Sequence, residues 1–78
     1  MAYDLFFLTE EAYQLELDKS NFLRKEEKLI IEILKDGALN INEIKEKLEE
    51  SGIELHHTTV KNRLFDLNEE GWVKVKWS

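Results

Sequence analysis

The side chains with most to offer chemically are gathered between His57 and Lys76. Lys61, Arg63, Lys74 and Lys76 carry the cations that suit phosphate oxygens. Asn62 presents a donor and an acceptor that can bond an adenine edge in two places, and Thr58 or Phe65 can meet a thymine methyl. Each also has a simpler account as part of a solvated helix face, Phe65 equally as an anchor for a partner. His56 and His57 are adjacent, so on a helix they point about 100° apart. Ordinary surface histidines explain that pair better than a metal site or a pH sensor. Glu49-Glu50 and Glu69-Glu70 are framed by no histidine, serine or glycine-rich loop, so they read as solvated helix ends. With no cysteine there is no thiolate nucleophile, thiolate zinc site or disulfide. The expectation is therefore a protein without catalytic residues, metal or cofactor.

These candidates need a scaffold, and His56 to Val73 supplies its main part. Val60, Leu64 and Leu67 fall at i, i+4 and i+7 and make one narrow apolar stripe, which predicts an amphipathic helix over 56–70 facing a core. Thr58, Asn62, Phe65 and Glu69 lie on the opposite face. Lys61 and His57 flank it on one side, Asp66 and Arg63 on the other. Gly71 stands where a helix end needs a positive φ. Residues 72–77, WVKVKW, then alternate as a strand does, with Lys74 and Lys76 on one face. Trp72 and Trp77 read as packing residues rather than platforms for stacked bases.

Charge limits what such a face can bind. The chain of 78 residues carries a formal −6, and nucleic-acid affinity comes largely from cations that release counterions from phosphates. Its distribution is uneven. From residue 56 onward four cations stand against three acids, a balance of +1, which leaves −7 for residues 1–55. Any basic surface is local and C-terminal. The size suits one small domain whose core supplies only a few kcal/mol. No apolar run approaches a membrane span, and residues 1–10 lack the basic start of a signal peptide, so a cytoplasmic home is expected.

Three further stretches complete the reading. Residues 3–8 suit a strand, and Thr9 with Glu10 and Glu11 looks like the cap and first turn of a short helix over 10–18. The alternation of Tyr13, Leu15 and Leu17 keeps a hairpin of 3–8 with 13–17 open as a rival. Asp18, Ser20 and Asn21 offer caps for a helix from Phe22 to about Lys35, with Phe22, Ile30, Ile33 and Leu34 inward, the charged Glu26 on the same side, and Gly37 at its end. Ala38-Leu39 leaves room for an isolated strand pair only. Asn40 and Glu43 form an Asn variant of the capping box, with Leu39 and Ile44 as its hydrophobic staple. Ile41, Ile44 and Leu48 continue that helix to Ser51-Gly52.

The run from Gly37 to Ile44, the helix after it, and then Thr59-Val60-Lys61-Asn62-Arg63-Leu64 with Leu67, Gly71, Trp72 and Val73 resemble the winged helix-turn-helix of ArsR and MarR kinds of transcription regulator. The resemblance covers residues 24–77. It implies that 56–70 is the recognition helix and 72–77 the first strand of the wing. The wing's returning strand does not follow residue 77. Phe6 to Glu11 resembles that segment, so residues 3–8 are expected to pair with 72–77 within one chain or across a dimer, or simply to cover exposed core.

The expected fold class is mainly α with a small β-sheet: a winged helix-turn-helix with a three-helix core, an N-terminal extension over 1–21 and a minimal wing within 22–78. The expected function is sequence-specific binding of double-stranded DNA by a small, homodimeric transcription regulator, through His57, Thr58, Lys61, Asn62, Arg63, Phe65, Lys74 and Lys76. The alternative is a winged-helix module that binds a protein partner, such as a basic one, and no DNA.

Overall fold

The computed structural model describes residues 4–76. Strand β1 (Leu5–Leu8) leads into a short helix α1 (Glu10–Gln14) and a 3-10 turn at Leu17–Lys19. Helices α2 (Lys25–Leu34), α3 (Ile41–Glu50) and α4 (His57–Glu69) follow, and strand β2 (Val73–Lys76) ends the described chain. The result is a mostly helical domain with a two-stranded antiparallel sheet.

The strongest local signals give the element ends they predict. Asn40 accepts from the Glu43 amide at 2.9 Å while the Glu43 carboxylate accepts from the Asn40 amide at 3.1 Å, so both halves of the capping box form. α3 and α4 both end in a Schellman motif. Ile53 N–H donates to Leu48 C=O and Trp72 N–H to Leu67 C=O, five residues back, and this reversal needs the φ of +88° that Gly52 and Gly71 adopt.

α2 departs from its expected start. It begins at Lys25, and none of Asp18, Ser20 or Asn21 caps it. Arg24 occupies the N-cap position, and the buried Glu27 carboxylate reaches back to accept its N–H at 2.9 Å. An arginine has no acceptor to return, so one half of a capping box suffices. Phe22 consequently lies before the helix and 62% exposed, outside the core it was expected to join. Ile31, absent from the expected stripe, is fully buried in its stead. The helix expected over 10–18 is also shorter. α1 stops at Gln14, and Ser20, buried, donates to Glu16 C=O at 2.7 Å across the 3-10 turn that replaces its second half.

β1 pairs with β2 inside one chain, and the 3–8 with 13–17 hairpin does not form. The register sets Leu5 opposite Lys76, Phe6 opposite Val75, Phe7 opposite Lys74 and Leu8 opposite Val73. Opposed residues share a face. Phe6, Leu8 and Val73 are therefore buried together while Phe7, Lys74 and Lys76 face water. On its other edge Phe6 exchanges two backbone bonds with Leu39, at 2.8 and 3.1 Å, the isolated pair anticipated there. β1 thus runs between Leu39 and β2 as the central strand. Tyr3 and Trp77, the outer ends of the expected strands, lie outside the described residues.

One core cluster unites all of this. Val60, Leu64 and Leu67 of α4 meet Ile30, Ile31 and Leu34 of α2, Ile44 and Leu48 of α3, and Phe6 and Leu8 of β1. The segment read as an N-terminal extension therefore supplies three core residues, Phe6, Leu8 and Ala12. Its join is further secured by Thr9, whose hydroxyl donates to Gly71 C=O at 2.8 Å and whose N–H donates to Trp72 C=O at 3.1 Å.

Candidate nucleic-acid interface

α4 divides into two halves with different surroundings. Its stripe of Val60, Leu64 and Leu67 is wholly buried, which fixes the rotation of the helix and turns His57, Thr58, Lys61 and Asn62 to solvent. No side chain caps the helix start, where His56 holds the N-cap position, and the first turn carries no acid. Unbonded amides and the positive end of the helix dipole therefore lie beside those four exposed side chains.

The other half is occupied. Arg63 Nε donates to Glu26 Oε1 of α2 at 3.1 Å, with both side chains only about one quarter exposed (25% and 23%). Arg63 and Arg24 each bring a guanidinium nitrogen within 3.7 Å of Asp66 Oδ2. A hydrogen bond to its own backbone holds the Glu26 carboxyl below its usual value near 4.5; burial works against this, and the bond and charge of Arg63 and the charge of Arg24 add to it.

The expected site residues accordingly fall into four groups. His57, Thr58, Lys61 and Asn62 share the open half of α4. Arg63 is turned onto α2 and is not a free cation. Phe65, expected to point outward, is half-buried, with its ring edge-on to Phe6 at 6.3 Å and the Lys61 ammonium 5.8 Å from its centroid. This braces Lys61 and leaves Phe65 little surface for a base or a partner. Lys74 and Lys76 stand on the outer face of β2.

Sequence reasoning missed the role of Glu26, Arg24 and Asp66 as a clamp between α2 and α4. Glu26 at helix spacing among apolar residues was the one available signal, since a charge on an otherwise apolar stripe needs a partner. Among the described residues no group of three or more His, Cys, Asp or Glu could hold a metal ion. No described helix is long and apolar enough to cross a membrane. No protein-family model, curated protein or solved structure matches the chain.

Proposed function

We propose that the chain is a winged helix-turn-helix module that binds double-stranded DNA, with α3 and α4 as the helix pair and α4 entering the major groove. The observation that carries this reading is the division of α4. Asp66, the first acid along α4, is countered by Arg24 and Arg63, and the turns of the helix that bear His57, Thr58, Lys61 and Asn62 carry no carboxylate of their own. The strand order supports the same reading: β1 stands between Leu39 and β2, the position a returning wing strand would take, with Lys74 and Lys76 outward for phosphates. Asn62 reads a base edge, Thr58 offers a methyl contact, and Lys61 meets the backbone. Assembly as a homodimer would double a contact set that is small for one copy.

Commitment of Arg63 to Glu26 lowers the number of phosphates one copy can neutralise. Lys61, Lys74 and Lys76 remain, so the log-log salt slope for one bound copy is about −3 at about −0.9 per phosphate. The test is a salt series on mixed duplex DNA followed by selection of preferred sites. Lys74→Ala is expected to weaken all sequences alike and flatten the slope by about one. Asn62→Ala is expected to relax preference at one base pair by about 1–3 kcal/mol. Absence of duplex binding at about 50 mM salt, where the counterion effect is strong, sinks the reading.

A further inference from the structure

The surface around Trp72 is lined by residues other than those of the open half of α4. An open groove of about 720 Å³ runs between the β1–α1 junction and the turn from α4 into β2. Phe7, Leu8 and Trp72 line it with apolar surface, and Glu10, Glu11 and Glu70 stand along it, with Lys74 as the one cation among its lining residues. Phe7 is 36% exposed. Beyond the groove Phe22 stacks on Trp72, with centroids 6.2 Å apart and planes at 28°, and it too is solvent-facing beside Glu69 and Glu70. Phe7, Trp72 and Phe22 are thus grouped at the surface of a small domain, with Phe22 62% exposed. The indole of Trp72 also holds a buried Nε1 donor with no acceptor among the described residues.

The acids around these rings are not tied up in ion pairs. Among the described residues Glu10, Glu11, Glu69 and Glu70 enter no ion pair, whereas Glu26, Glu27 and Asp66 all do. Exposed aromatic surface bordered by free carboxylates suits one kind of occupant, a chain segment that alternates cationic and apolar side chains. Its apolar residues would cover Phe7 and Trp72, and its ammonium or guanidinium groups would meet the carboxylates and the exposed face of Phe22. A second copy of this chain fits less well in this groove, because a face-to-face contact would bring its Glu10, Glu11 and Glu70 against the same acids of the partner copy.

We propose that this groove docks a basic, apolar-alternating segment of another protein. The proposal does not rest on DNA binding by α4, and the two can fail separately. Trp77→Phe leaves Trp72 as the sole indole and makes its fluorescence the reporter. Titration of that variant with an alternating Lys-Leu octapeptide is expected to give a saturable change. An alternating Lys-Ser peptide is expected to bind about tenfold or more weakly, and so is the Lys-Leu peptide to a Glu10→Gln, Glu11→Gln, Glu70→Gln triple variant or to Phe7→Ser. All three positions of the triple variant are exposed, and circular dichroism verifies its fold. The same triple variant is expected to keep or increase duplex binding, since it loses three negative charges.

Equal affinity for the Lys-Ser peptide, or equal affinity of the triple variant, would reduce the effect to general charge attraction and overturn the proposal. No saturation up to about 1 mM peptide would do the same. Sedimentation supplies the remaining outcome: if the chain is a dimer that Phe22→Ser converts to monomer, the face belongs to a second copy and the proposal fails.

Discussion

The two halves of α4 spend the same kinds of side chain in opposite ways. In the half after Leu64, or beside it, Arg63 and Asp66 are bonded into α2 through Glu26 and Arg24. In the half before it, Lys61 and Asn62 bond to nothing that belongs to the fold, apart from the contact of Lys61 with the Phe65 ring. A charge committed to an ion pair is not available to a ligand without breaking that pair. A cation such as Lys61 keeps its counterions until a phosphate replaces them. The contrast separates what holds α4 in place from what it can present, and it can be tested by asking which changes move stability and which do not.

The largest effect is expected from removing β1. Deletion of residues 1–8 takes Phe6 and Leu8 out of the core, strips β2 of its pairing partner and leaves an edge prone to association. Loss of the cooperative thermal transition is expected by circular dichroism. An unchanged melting curve would mean that the helices stand without the strand, and the contrast within α4 would then be independent of the sheet.

Next comes the buried stripe that both halves share. Leu64 is fully buried between α2 and α3, so Leu64→Ala is expected to destabilise by about 2–5 kcal/mol in urea melts. A change below about 0.5 kcal/mol, the range of ordinary surface substitutions, would show that α4 is not held by this stripe.

The clamp is expected to matter less, and in a pH-dependent way. A double-mutant cycle of Glu26→Gln and Arg63→Gln is expected to give a coupling of about 0.5–1 kcal/mol at pH 7, near the upper end for partly exposed pairs. The folded Glu26 carboxyl titrates below its usual 4.5. Its contribution is therefore fully present above that value and is lost as pH falls through the lower, folded one. A coupling that stayed constant from pH 7 down to strong acid would assign the effect to packing of the two long side chains.

The smallest stability effect is expected at the open half. Asn62→Ala touches no partner in the fold and is expected to shift the melt by less than about 0.5 kcal/mol in either direction. A loss of about 2 kcal/mol, the size typical of a broken buried contact, would show that Asn62 serves the fold and would remove it from the reading face.

Much of this was legible before any tertiary contact was known, and the legible parts share a cause. The capping box of Asn40 and Glu43, the cap at Thr9, the glycine-terminated ends at Gly52 and Gly71, and the stripe of Val60, Leu64 and Leu67 all depend on residues within a few positions of one another. Those bonds and that periodicity follow from backbone geometry alone. The strand character of 5–8 and 73–76 was equally local, while their mutual pairing rested on a resemblance and left intra-chain and cross-dimer forms open.

What the sequence did not decide involves partners far apart along the chain. Arg63 meets Glu26 across 37 positions and Thr9 meets Gly71 across 62, and neither spacing leaves a periodic trace. Phe22 was assigned inward because it continues the helical period of α2. The cap formed by Arg24 and Glu27 starts that helix at Lys25, three residues later than expected, and puts Phe22 outside against Trp72. Phe65 was assigned outward by the same arithmetic. β1, arriving from the far end of the chain between Leu39 and β2, brought Phe6 against it and half-buried it. Periodicity tells which face of a helix is apolar; only chain closure, which brings a distant segment alongside, decides which of its remaining side chains stay free.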